Sequence, residues 1–136
     1  MSEPDWTAAR APSLDEVAAL AEAALKALPE PFRKLVGEVE MRVLDFAEEE
    51  VLEELGLEDP FELTGLYQGV DLAHRSSFDP TPERSMLFLY RRPILDEWCE
   101  HGEIALGELI SHVLVHEIGH HFGLSDAQIA AIEAGA

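Results

Sequence analysis

Near the end of the chain stands His116-Glu117-Ile118-Gly119-His120-His121-Phe122-Gly123-Leu124-Ser125-Asp126, and this stretch limits the architecture more than any other. Two histidines four residues apart converge on one ion only if the segment between them is helical, because a helix sets residues i and i+4 on one face about one turn apart. The HExxH pattern therefore requires a helix, an apolar back face to anchor it, and a further ligand brought back to the same spot. Glu117 directly follows the first histidine, so it can reach a water bound to that ion and act as general base.

The flanking residues supply what the motif needs. Glu103 to His121 reads as one long helix, apolar in its upstream half, and Gly123 is placed to leave it in a left-handed conformation. A catalytic zinc takes a third protein ligand and keeps one position open for water. Asp126 is the leading candidate, because it completes the spacing HExxHxxGxxH/D, in which the glycine turns the chain so that the eleventh residue returns to the metal. The ordinary role for Asp126 is a first-turn acid favoured by the helix dipole. Glu133 is the second candidate, although its spacing from His120 is short for a ligand from a downstream helix.

The other histidines fit less well. His112 lies one turn above His116 but ~12 Å along the axis from His120, so one ion does not easily serve all three. It is expected in the core or behind the ligands. His121 points ~100° away from His120 and falls outside the ligand set, free to donate to a carbonyl or carboxylate. His74 and His101 lie in predicted loops. For a donor to a developing oxyanion, Tyr67, Tyr90, His74, Arg91 and Arg92 stay open.

The rest of the chain reads as scaffold. Ser13 to Glu16 is a capping box opening a helix from Leu14 to Leu28, stopped by Pro29 and Pro31. Phe32 to Val36 adds a short turn. Val39, Met41 and Val43 alternate with Glu38, Glu40 and Arg42, which predicts a half-buried strand ending at Leu44-Asp45-Phe46. Glu48 to Leu55 reads as a short helix ended by Gly56, its acidic cluster a solvated face. Leu63 to Val70 is a short extended segment whose glycines let another backbone approach, and Arg75 to Arg84 is a surface loop. The apolar run Ser85 to Tyr90 predicts a second strand. Were it a sheet edge near the cleft, it would pair with an extended peptide. Arg91-Arg92-Pro93 ends that strand, and Ile94 to Cys99 forms a short helix. Ser125 to Gln128 is another capping box, opening a last helix to about Glu133.

Bulk properties exclude several classes. A chain of 136 residues suits one domain, taken as residues 13–136 behind a flexible tail, residues 1–12. The balance of 9 basic against 28 acidic residues gives −19, which argues against nucleic acids and anionic membranes as partners. Cys99 is the only cysteine, so neither an intrachain disulfide nor a Cys-rich zinc site is available. The start MSEPDWTAAR has no apolar h-region and no basic start. Ile104 to Ile118 is interrupted by polar residues and falls short of a membrane span. A cytoplasmic protein is expected; the oligomeric state is not readable.

HVLVHEIGHHFGLSD, together with LTGLYQGVDL and LFLYRRPIL upstream, resembles the small bacterial zincin-like family of possible zinc metallopeptidases, from about Phe32 to Ile132. The resemblance implies a minimal α+β zincin-like fold, with a small mixed sheet packed on the active-site helix. It also implies Zn2+ on His116, His120 and Asp126, with Glu117 as base. The expected function is hydrolysis of a peptide or protein substrate. The rival is a non-catalytic metal-binding module acting in protein interaction, and a third reading is an amidohydrolase on a small non-peptide substrate. Small size and the scarcity of residues to wall a cleft favour the rival; an intact Glu117 favours the enzyme.

Overall fold

The computed structural model describes residues 5–36, 39–68 and 85–135. Among the described residues, six α-helices pack with a three-stranded mixed sheet. After a 3-10 turn at Trp6–Ala8, the helices are α1 (Leu14–Lys26), α2 (Glu30–Val36), α3 (Glu49–Leu55), α4 (Arg91–His101), α5 (Leu106–His121) and α6 (Asp126–Gly135). The strands are β1 (Val39–Leu44), β2 (Gly65–Gln68) and β3 (Ser85–Tyr90), in the order β1-β3-β2. β1 runs parallel to β3 and β2 antiparallel to it. The expected α+β architecture is thus present, with the motif helix against the sheet.

The local signals explain most of these elements. Ser13 Oγ accepts from the Glu16 amide while the Glu16 carboxylate accepts from the Ser13 amide, closing the capping box of α1. Gly56 ends α3 at φ 71°. β1 alternates between half-buried and exposed residues, as its sequence predicts. β3 is continuously apolar because both of its faces are covered. Leu87 and Leu89 enter the main core, while Tyr90 sits in a smaller cluster with Ala47 and Leu52.

Several expectations are corrected. β3 is the central strand, so its main chain is committed on both sides and cannot receive a peptide; among the described residues β1 and β2 are the edge strands, and β2 lies beside α5. α4 begins at Arg91, not Ile94, and runs on to His101. Pro93 falls within the first turn, where amides have no intrahelical partner, so its missing N–H costs nothing there. α5 starts at Leu106 rather than Glu103. Ala105 before it is extended, and Trp98 Nε1 donates to the Ile104 carbonyl at 2.7 Å, holding the preceding turn. α1 also stops at Lys26, and α2 starts early at Glu30 with Pro31 in its first turn. The Arg75–Arg84 loop, His74 and the end of the Leu63–Val70 segment lie outside the described residues.

α5 is the spine of the core. Leu106, Leu109, Ile110, Val113, Leu114, Val115 and Ile118 are all buried, against Val17 and Ala21 of α1, Phe32 of α2, Ile94 of α4 and the sheet. Each such side chain contributes roughly 1.5–3 kcal/mol, enough to fix the helix while its polar face stays open. No helix among the described residues is long and apolar enough to cross a membrane.

Candidate metal centre

Along α5 the residues His112, His116 and His120 follow at intervals of one turn on the face opposite the core. His112 and His120 are exposed and His116 is half-buried. The rings step down the helix, His112 to His116 at 4.0 Å and His116 to His120 at 5.5 Å between centroids. Phe122 and Gly123 then end α5: the Leu124 amide donates to the Gly119 carbonyl at 2.9 Å, and Gly123 takes φ 80°. This reverses the chain. Ser125 and Gln128 exchange side-chain-to-amide bonds of 3.1 and 2.8 Å, so α6 starts on Asp126 as its capping box predicts.

The reversal delivers carboxylates to the histidine face. Asp126 Oδ1 lies 2.7 Å from His120 Nε2 and 3.8 Å from His116 Nδ1. Glu133 Oε1, two turns further on, lies 3.5 Å from His116 Nε2 and 3.8 Å from His112 Nδ1. Donors of His116, His120 and Asp126 fall within 4.8 Å of one another, and so do those of His112, His116 and Glu133. Both third-ligand candidates thus reach His116, while Asp126 alone groups with the HExxH pair. Two imidazoles and a carboxylate are the donor chemistry of a zinc site. Burial, reinforced by the neighbouring His112, holds the His116 pKa below its usual value, against the opposing pull of Glu133. That favours the neutral imidazole which binds metals.

Docking of α6 depends on a missing side chain. A Cβ at Gly119 would meet Ile129 Cδ1 at 2.6 Å and Cγ1 at 2.7 Å. Gly119 therefore lets fully buried Ile129 seat against α5, which places Asp126 and Glu133. Gly65 does the same on the sheet side, where a Cβ would meet Val113 Cγ1 at 3.0 Å and Glu117 Cγ at 3.3 Å. A backbone approach is expected at the Leu63–Val70 glycines; at Gly65 the close neighbours from α5 are instead side chains, one of them the general-base candidate, and Gly69 lies outside the described residues.

Glu117 stands between the histidines and β2. Burial raises its pKa, while a hydrogen bond from the Tyr67 backbone amide and the charge of His120 pull it down. The register explains that amide's direction. The Tyr90 amide donates to the Thr64 carbonyl at 2.9 Å, and antiparallel ladders alternate. Main-chain groups of Gly65 and Tyr67 consequently face away from β3, and the Tyr67 amide meets Glu117 there.

Of the remaining candidates the two arginines are engaged elsewhere. Arg91 donates to the Pro12 carbonyl at 2.6 Å and to Asp45 at 3.1 Å. Arg92 lies over the Phe46 ring at 5.8 Å, and Tyr90 is buried in the smaller cluster. His121 packs edge-on against Tyr67 at 4.5 Å between centroids. Among the described residues the buried Tyr67 hydroxyl has no hydrogen-bond partner. His112 is exposed on the histidine face rather than in the core, and His101 closes α4 rather than sitting in a loop. The roles of Gly119 and of the Tyr67 amide were not read from sequence. A glycine inside the strongest predicted helix is the signal that pointed to the first.

A family model described as zincin-like metallopeptidase matches residues 36–136. The chain belongs to the zincin-like metallopeptidase family. No curated protein matches it. The matched span of this zincin-like chain takes in the whole sheet and all of α3 to α6.

Proposed function

We propose that this zincin-like domain, residues 13–136, is a zinc-dependent peptidase, with His116, His120 and Asp126 as metal ligands and Glu117 as general base. The observation that carries the reading is Glu117: a half-buried carboxylate with a raised pKa, one residue from a ligand histidine and facing an edge strand. Zinc at this position would acidify a water and polarise a carbonyl. Glu117 takes a proton from water at the site and returns it to the departing amine, and its raised pKa brings it nearer to working pH. The Tyr67 amide orients the carboxylate. Extended peptide lies along β2, using outward main-chain groups other than the Tyr67 amide, which do not read side chains. Asp126, now 2.7 Å from His120, would hold the metal together with His116 and His120.

The test is a mixed peptide library incubated with zinc-loaded protein and read by mass spectrometry, with Glu117→Ala as the partner sample. Cleavages present only in wild type support the peptidase. Identical product lists from the two proteins would assign the domain instead to a metal-binding module.

A further inference from the structure

We propose a second divalent-cation site, formed by His112, Glu133 and Nε2 of His116, which competes with the HExxH site for His116. α5 carries two overlapping i,i+4 histidine pairs, 112/116 and 116/120. Each pair faces its own carboxylate on α6. The carboxylates are seven residues apart and the outer histidines eight, ~10.5 and ~12 Å along their helices, so two helices running in opposite senses bring both sets into register.

The distances differ in kind between the two sets. His120 and Asp126 are in direct hydrogen-bond contact at 2.7 Å. Glu133 stands off at 3.5 Å from His116 and 3.8 Å from His112, close to the roughly 3.3 Å that separates donors held by one tetrahedral ion. The surroundings suit a cation. His112 and Glu133 line a cleft of about 790 Å³ with Glu97, Glu103 and Glu108 on its walls, which supplies negative potential and room for water to complete a coordination shell.

Competition follows from the shared ring. His116 aims Nδ1 at Asp126 and Nε2 at Glu133, and a neutral imidazole has a lone pair on only one nitrogen. One ion at a time therefore receives His116 as a ligand. The two positions are not equivalent in chemistry. The residue after His112 is buried Val113, where the HExxH pair has Glu117. An ion in the second site is held away from the general base.

Co2+ binding, read by calorimetry and visible absorption, tests this without reference to activity. In His120→Ala/Asp126→Ala the HExxH site is gone, and the protein should still bind about one Co2+. Adding Glu133→Gln should weaken that binding at least tenfold. No Co2+ binding in the folded double variant, or binding indifferent to Glu133→Gln, overturns the proposal. Should the double variant misfold, His112→Ala/Glu133→Gln changes one exposed and one half-buried group and leaves the core untouched. Its Co2+ spectrum should lose one component seen in wild type, and an unchanged spectrum overturns the proposal. Two ions bound equally tightly by wild type would overturn the competition. Absence of peptidase activity bears only on the role of Glu117.

Discussion

Replacing Gly119 by alanine sets two effects of known size against each other. In an isolated helix the change is favourable by about 1 kcal/mol, since glycine is the poorer helix former. Here the new methyl would lie 2.6 and 2.7 Å from two carbons of Ile129, about 1 Å inside ordinary carbon contact. Ile129 is fully buried and has Phe32 beside it, so it yields only by moving α6. Overpacking of this sort costs about 1–3 kcal/mol, which outweighs the gain. Gly119→Ala should lose about 1–2 kcal/mol in urea denaturation, and zinc affinity should fall with it, because Asp126 rides on α6. A mutant cycle isolates the cause: Ile129→Ala alone costs about 2–5 kcal/mol, and the double variant should cost less than the sum by about 1 kcal/mol or more. A Gly119→Ala protein as stable as wild type, with unchanged zinc affinity, would refute this account of how α6 docks.

Further outcomes follow from other contacts. Asp126→Ala should bind zinc at least about tenfold more weakly by competition with a chromophoric chelator; unchanged affinity would move the third ligand to Glu133. Gly65→Ala, whose Cβ would meet Val113, the Phe88 carbonyl and Glu117 within 3.0–3.3 Å, should lower kcat more than it raises KM, and full kcat would show that β2 does not position the base. Burial, with Glu48 and Glu117 adding repulsion, pushes the Tyr90 hydroxyl up to about 12. The fold thus disfavours the phenolate, so stability from this group is full below the unfolded value of about 10 and is lost as pH rises toward about 12. Alkaline ultraviolet titration against Tyr90→Phe checks it, and a Tyr90 phenolate forming near 10 would contradict its burial.

What the sequence made legible was whatever depends on neighbours along the chain. HExxH, Gly123 and the Ser125 capping box each act within one or two turns, and α5, its reversal and the start of α6 could be read from them. β1 was legible because one face is wet and its alternation survives. β3 was legible as a strand, but its place in the sheet was not. A continuous apolar run says that both faces are covered and leaves open whether both edges are paired, and the choice of β2 as an edge rests on pairings distant in sequence. The start of α4 is harder to read, because Arg91-Arg92-Pro93 marks the strand's end equally well and a proline is tolerated anywhere in the first helical turn, which here begins two residues before Pro93. The position of His112 was misjudged for a related reason. Distance along one helix excludes it from the His120 site, but says nothing of the carboxylate that a second helix brings to it.

The reversal at Gly123 has a consequence for how this centre can vary. Every candidate ligand, and the general base, lies between His112 and Glu133 on two helices joined by one short turn. Closing so short a span costs little chain entropy, and its geometry is set by the turn and by one pair of facing residues, Gly119 and Ile129. The strand that would receive a peptide comes from a distant part of the chain and touches this unit through Gly65 and Tyr67. A change at Gly65 or in the backbone at Tyr67 would therefore reach Glu117 as well as the sheet edge, so the candidate ligands can be conserved as one short unit while the setting of the carboxylate depends on a second, distant passage of sequence.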